Sequence, residues 1–138
     1  MWNKFLLLIL ALTTQSAFAW QAPTSCLEGQ IKTVTLGKTE IERATYCTNT
    51  AGSELLSQNC TRNTECEALR SKETLERKNL RMTAVGTPGF HLCTDLKGEG
   101  QIIEFTVSDK KWVKLDRCLF SDGSFIDVGS LLENTYKD

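Results

Sequence analysis

Six cysteines constrain the fold of this 138-residue chain more than any other feature of its sequence. All six follow an N-terminal segment with the features of a signal peptide, and an even number of cysteines in an exported chain predicts disulfide bonds. The fold must therefore bring the cysteines together in pairs. They are Cys26, Cys47, Cys60, Cys66, Cys93 and Cys118.

Residues 1–19 predict export. Lys4 provides a positive charge, and residues 5–12 form an apolar run that is too short to span a bilayer. Residues 17–19, Ala-Phe-Ala, match the small residues that a signal peptidase requires, so we expect cleavage before Trp20. An uncleaved membrane anchor is the alternative. We expect a mature protein without a transmembrane segment, located in the bacterial periplasm or secreted.

Residues 20–62 predict an N-terminal β-meander module. Residues 30–36 and 40–47 are rich in β-branched side chains and are separated by a short segment that contains Gly, which is the pattern of an antiparallel hairpin. A second cluster of turn residues follows, and residues 53–60 provide the third strand.

The predicted hairpin constrains the disulfide pairing. Its register places Cys47 just beyond the start of the opposing strand, where Cys26 is within reach of a bridge. Cys60 and Cys66 are close in sequence and suit a local bridge, whereas a bridge between Cys47 and Cys60 fits the second turn less well. The predicted disulfides are therefore Cys26–Cys47, Cys60–Cys66 and Cys93–Cys118.

Residues 63–86 predict a connecting helix or linker. Residues 63–82 contain no Gly or Pro, and Thr64 with Glu67 matches a capping box. The apolar residues form no strong stripe, which indicates a surface helix. Acidic and basic side chains are mixed along it, and the formal net charge of the whole chain is -1, so nucleic acid is not an expected partner.

Residues 87–138 predict a second module with one helix, three antiparallel strands and a short terminal helix. Pro88 suits the first turn of the helix, and Gly98 suits a left-handed residue at its end. The apolar alternation slips before Cys118, which predicts a bulge near residues 116–117. The predicted strands are 102–108, 111–120 and 124–128.

Asp122-Gly123 lies between two of these strands. An Asp-Gly pair between alternating runs predicts a two-residue turn, because both turn residues must tolerate a positive φ. In that register Phe120 lies opposite Phe125. The aspartate is then part of a turn and not of a metal or substrate site.

Together these elements predict an α+β fold. We expect a small disulfide-bonded exported protein with an N-terminal three-stranded β-meander, a connecting surface helix, and a C-terminal helix with a three-stranded antiparallel sheet. The predicted divisions are 1–19, 20–62, 63–86 and 87–138.

Two segments of the second module, "TPGFHLCTDLKGEG" and "CLFSDGSF", contain the structural residues Pro88, Cys93, Gly98, Cys118, Asp122 and Gly123. Through these segments, residues 87–128 resemble a family of small exported bacterial proteins of undefined function that are sometimes labelled haemolysins. The resemblance implies an exported, disulfide-bonded domain, and it provides no catalytic residues.

The residues give no pattern for catalysis, metal or cofactor binding. His91, the only histidine, lies two positions from Cys93, and residues at that spacing face opposite sides of a helix. Asp116, Asp122 and Asp127 lack the spacing of a calcium-binding loop. We therefore expect no catalytic residue, no metal site and no cofactor.

The function predicted from these observations is a non-enzymatic exported module that binds a protein, a peptide or an envelope surface. Trp112 and Tyr46 are the candidate partner contacts, because exposed aromatic side chains beside a sheet edge suit docking. A purely structural envelope component and a small secreted hydrolase are the alternatives. The oligomeric state is left open.

Overall fold

The computed structural model describes residues 21–62, 65–69, 75–76 and 88–137. The predicted signal peptide and most of the predicted connecting helix lie outside these residues. The elements in chain order are β1 Cys26–Thr35, β2 Lys38–Thr48, β3 Leu55–Ser57, α1 Asn59–Arg62, β4 Leu75–Glu76, α2 Pro88–Asp95, β5 Glu99–Ser108, β6 Lys111–Leu119, β7 Phe125–Asp127, α3 Val128–Thr135 and β8 Tyr136–Lys137.

The first hairpin, β1–β2, turns at Leu36 and Gly37. Both residues have a positive φ, 50° and 78°, as the two central residues of a type I′ turn require. The strands pair without interruption from the turn to Cys26, which lies directly opposite Cys47. The first disulfide forms between these two residues.

Six strands close into one antiparallel barrel in the order β1-β2-β3-β7-β6-β5. β1 pairs with β5 as well as with β2, and β3 pairs with β7 as well as with β2. The predicted α+β fold with two separate three-stranded sheets is therefore wrong. An isolated meander has two edges of unpaired backbone groups, and here the edges of the two meanders pair with each other.

The barrel interior and its outer surface hold separate apolar clusters. The interior cluster consists of inward-facing side chains from all six barrel strands. On the outside, α2, α3 and residues 65–69 cover β3, β6 and β7 with a second cluster that contains Cys60, Cys66, Cys93 and Cys118. The fully enclosed interior residues are Ile31, Tyr46, Leu55, Ile103, Phe105 and Phe125.

The structure contains the disulfides Cys26–Cys47, Cys60–Cys66 and Cys93–Cys118, the same pairs that the sequence predicts. No described cysteine is free. The second and third bridges lie in the outer cluster. Cys60–Cys66 joins residues 65–69 to α1, and Cys93–Cys118 attaches α2 to β6 of the barrel wall. Disulfides of this kind are typical of proteins from an oxidising compartment.

The predicted connecting helix is not continuous. Residues 65–69 form turns, and β4 pairs in parallel with β8. Helix α2 begins at Pro88, as predicted, but the residue with left-handed backbone at its end is Lys97, with φ 69°. Gly98 has a different role, because a Cβ there would overlap Cys118 Sγ of the third disulfide.

The β6–β7 hairpin has a three-residue loop instead of the predicted two-residue turn. Leu119 pairs with Phe125, and Phe120 N donates to Ser124 O at 2.9 Å. Gly123 alone has a positive φ, 83°, in this loop. The register therefore differs by one residue from the prediction, which turns Phe120 to the outer cluster and Phe125 to the interior.

Candidate binding site at the mouth of the barrel

One part of the barrel wall is open. β2 is eleven residues long, whereas β3 has three residues and pairs only with the last three residues of β2. Among the described residues, the part of β2 from 38 to 44 therefore has a strand partner on the β1 side alone. We call residues 38–44 the open edge of β2.

Backbone groups point out of the open edge. The C=O of Thr45 accepts a hydrogen bond from Gln58 N at 3.3 Å, on the side away from β1. Because the direction of backbone groups alternates along an antiparallel strand, Thr39, Ile41 and Arg43 also direct their N–H and C=O groups away from β1. The open edge thus offers three residues for pairing with another extended chain.

The open edge borders a cavity of about 730 Å³ at one end of the barrel, which we call the barrel mouth. Gly123 in the β6–β7 loop and Phe125 at the start of β7 also line this cavity. The barrel mouth is more polar than the interior cluster below it. Its polar lining residues are Thr33, Thr35, Glu40, Glu42, Gln101 and Arg117.

Arg117 lies in the barrel mouth with 3% of its side chain exposed. Its Nε donates to Gln101 Oε1 at 2.9 Å, and its Nη2 lies 3.4 Å from Glu42 Oε1. The guanidinium also lies over the Phe125 ring, 4.8 Å from the centroid. Nη1 has no hydrogen-bond partner among the described residues. Since buried donors are nearly always paired in folded proteins, this nitrogen marks a place for a further acceptor.

Desolvation lowers the pKa of Arg117, because burial disfavours its charged form, while the nearby carboxylates of Glu42 and Glu99 act in the opposite direction. Arginine nevertheless stays protonated in proteins. Glu42 is 58% exposed, so water screens its attraction to the guanidinium. The protein itself therefore compensates the buried charge only in part.

The sequence prediction missed Arg117 as a site residue. Val113, Leu115 and Leu119 pack in the barrel interior, and Arg117 belongs to the same set of alternate residues on β6. Cys118 faces outward, so the alternation is regular and the predicted bulge is wrong. The sequence feature that could have identified Arg117 is an arginine within a set of alternate residues that are otherwise apolar and face the interior.

Trp112, a predicted partner contact, lies on the outer face of the barrel with 36% of its surface exposed. Lys32 Nζ lies 4.6 Å from the centroid of its ring. Three apolar side chains on the same face, Val34, Ile41 and Ile102, are 58%, 56% and 52% exposed. We call these four residues the outer patch.

Tyr46, the other predicted partner contact, is a core residue. It is completely buried, and its ring contacts Phe105 edge to face at 5.6 Å between centroids. Its hydroxyl donates to Thr106 O at 2.5 Å, between β1 and β5. A partner on the outer surface cannot reach Tyr46, so the structure corrects this prediction.

The residues that were weighed for catalysis or metal binding do not lie together in one site. His91 is half-buried on α2, and Asp116 is half-buried on β6. Asp122 accepts hydrogen bonds in the β6–β7 loop, while Asp127 caps α3 and accepts from Leu55 N at 2.9 Å. Within the described ranges, no group of three or more His, Cys, Asp and Glu residues is placed to hold a metal ion.

Comparisons of the chain with family models, with curated proteins and with solved structures give no match. No helix in the described part of the chain is long and apolar enough to cross a membrane. The candidate site therefore rests on the geometry of the open edge and the barrel mouth.

Proposed function

We propose that the protein is an exported, non-enzymatic module that binds an extended segment of a partner protein along the open edge of β2. The observation that carries the proposal is the set of outward-directed backbone groups at Thr39, Ile41 and Arg43, next to the barrel mouth. A peptide that adds to a sheet edge gains main-chain hydrogen bonds, and a neighbouring pocket selects its side chains.

The outer patch favours a protein over a small molecule as the partner. Ile41 lies on the open edge itself, and Val34 lies on the adjacent strand β1; both are more than half exposed. A folded partner that carries the extended segment can cover both side chains, whereas a small molecule confined to the barrel mouth, which Ile41 lines and Val34 does not, leaves Val34 uncovered. Trp112 then lies at the periphery of the interface.

The three disulfides support a location in an oxidising compartment. With the leader-like N-terminus, they favour the bacterial periplasm or the extracellular space. The resemblance of residues 87–128 to a family of exported proteins agrees with that location.

Selection of displayed random peptides on the immobilised, oxidised protein tests the proposal. Ile41→Pro removes one N–H from the open edge but leaves the pairing with β1 intact, because that N–H does not face β1. Ile41→Val keeps the N–H and serves as the matched control. We expect selected peptides to bind the wild type and Ile41→Val alike, and to lose at least about tenfold in Kd with Ile41→Pro.

Two results would contradict the proposal. One is the absence of any enriched peptide after selection on the wild-type protein. The other is an unchanged Kd for Ile41→Pro, with circular dichroism showing that the variant is folded. Either result would leave the open edge without a binding role.

A further inference from the structure

The barrel mouth places one buried donor beside two carboxylates. Nη1 of Arg117 lacks an acceptor among the described residues, and Glu42 lies next to the neighbouring nitrogen of the same guanidinium, at 3.4 Å. Glu40 lines the same cavity. One arginine and two glutamates leave the barrel mouth with a formal charge of one negative unit.

This charge balance restricts the side chain that fits. At Nη1 of Arg117 a lysine or arginine from a partner would bring a second cation and no acceptor, and an aspartate or glutamate would be repelled by Glu40 and Glu42. An aliphatic side chain would leave Nη1 buried without an acceptor. The fitting group is uncharged and combines an acceptor for Arg117 with a donor for a glutamate.

We infer that the barrel mouth is a subsite for the carboxamide side chain of a glutamine or asparagine in the bound segment. Its carbonyl oxygen accepts from Nη1 of Arg117, and its NH₂ group donates to the carboxylate of Glu42. A carboxamide carries an acceptor and a donor on one carbon, so a single uncharged side chain can serve both Nη1 of Arg117 and the carboxylate of Glu42, which lies at the neighbouring nitrogen.

The position of the cavity agrees with this role. Side chains of an added strand point alternately to the two faces of the sheet, so every second residue of a segment on the open edge faces the barrel mouth. Gln101 already uses its own carboxamide oxygen to accept from Arg117 Nε at 2.9 Å. The inferred contact repeats that bond at the remaining nitrogen. The inference rests on the proposed function, because it concerns one side chain of the segment that the open edge binds.

A substitution series in a selected peptide tests the subsite. Each position of the peptide is replaced in turn by Gln, Asn, Leu, Glu and Lys, and Kd is measured for the wild type and for Arg117→Met. Methionine is similar in length to the aliphatic part of the arginine side chain but offers no donor. At one position we expect the wild type to bind the Gln or Asn peptide at least about tenfold more tightly than the Leu peptide. Arg117→Met should bind both equally.

The outcomes separate the two proposals. If no peptide binds the wild type, the proposed function fails together with the subsite. If peptides bind but show no preference for an amide, or keep it in Arg117→Met, only the subsite is refuted. A preference for Glu would likewise refute it, in favour of an anion site.

A measurement on the wild type covers the case in which Arg117→Met does not fold. The ¹⁵N-coupled side-chain signals of Arg117 are followed by NMR during titration with the matched Gln and Leu peptides. The Gln peptide should shift the Nη1 proton signals far more than the Leu peptide does. Equal shifts would overturn the assignment.

Discussion

The strongest prediction concerns the contact between Gly29 and Tyr46, which closes the barrel between β1 and β5. Tyr46 extends from β2 across the interior, and its hydroxyl meets both Thr106 O, at 2.5 Å, and Thr106 Oγ1, at 3.0 Å. The same Thr106 Oγ1 accepts from Gln30 N at 3.1 Å. Gly29 leaves room for this arrangement, since a Cβ at that position would overlap Tyr46 Oη and lie 2.6 Å from Thr106 Oγ1.

Each single substitution should be destabilising. Tyr46→Phe removes the hydrogen bond to the half-buried Thr106 carbonyl, and we expect a loss of about 0.5–1.5 kcal/mol. Gly29→Ala forces Tyr46 or the backbone to move, and overpacking of this kind typically costs about 1–3 kcal/mol. Both values refer to the free energy of unfolding of the oxidised protein, measured by denaturant titration with tryptophan fluorescence.

The double variant tests the geometry. In Tyr46→Phe the nearest overlapping atom, the Tyr46 oxygen, is absent, and the alanine at Gly29 still lies 2.6 Å from Thr106 Oγ1 and 2.9 Å from the ring carbon Cζ. The second substitution should then cost less than it does in the wild type, with a coupling of about 1 kcal/mol. Losses that add within about 0.5 kcal/mol, the range for independent sites, would refute the contact as described.

Three further predictions concern the C-terminal hairpin. Gly123→Val should lower the free energy of unfolding by about 1–2 kcal/mol because φ is 83° there, although a Cβ would meet nothing within 4 Å; an unchanged melting temperature would refute the left-handed assignment. For Asp122, desolvation is the largest single influence and raises its pKa, but hydrogen bonds from Glu67 N and from the Ser124 hydroxyl and N–H together outweigh it, so the pKa is lowered. The stability from Asp122 is then present above the ordinary aspartate pKa and is lost as the pH falls through the lowered value. Because this site is exposed, Asp122→Asn should lower the free energy of unfolding by at most about 1 kcal/mol at pH 7. The variant should also lose less stability than the wild type as the pH is lowered, and an identical loss in both proteins would count against the hydrogen bonds. Replacing both Cys93 and Cys118 by serine should cost about 3 kcal/mol in the same assay, and a loss below about 1 kcal/mol would show that this bridge contributes little.

Much of the local structure could be predicted from the sequence. The strands of the two hairpins follow from alternating β-branched residues. Of the three disulfide pairs, Cys26–Cys47 follows from the register of the first hairpin and Cys60–Cys66 from a separation of 6 residues, which leaves Cys93 with Cys118. Pro88 marks the beginning of α2 because its fixed φ suits the first helical turn. These features depend on neighbours within a few residues or on one hairpin register.

The pairing of the two halves could not be predicted in the same way. Residues 20–62 and 87–138 each present strands with free edges, and alternation identifies the face of a strand but not the partner along its edge. The contact of β1 with β5 joins residues more than seventy positions apart, such as Ile31 and Phe105. Two separate sheets and one barrel therefore share the same sequence pattern.

The candidate site likewise depends partly on local features of the sequence and partly on contacts between distant strands. The sequence by itself determined that the protein is disulfide-bonded, rich in β-strands and without a recognisable catalytic motif, because these properties reside in residue types and short spacings. Only the tertiary structure decided that Tyr46 is core and that Arg117 points inward. It also decided that, among the described residues, the edge of β2 from 38 to 44 has no second strand partner and Arg117 Nη1 has no acceptor. The physical reason is that burial, edge pairing and hydrogen-bond satisfaction depend on which distant strands become neighbours when the barrel closes.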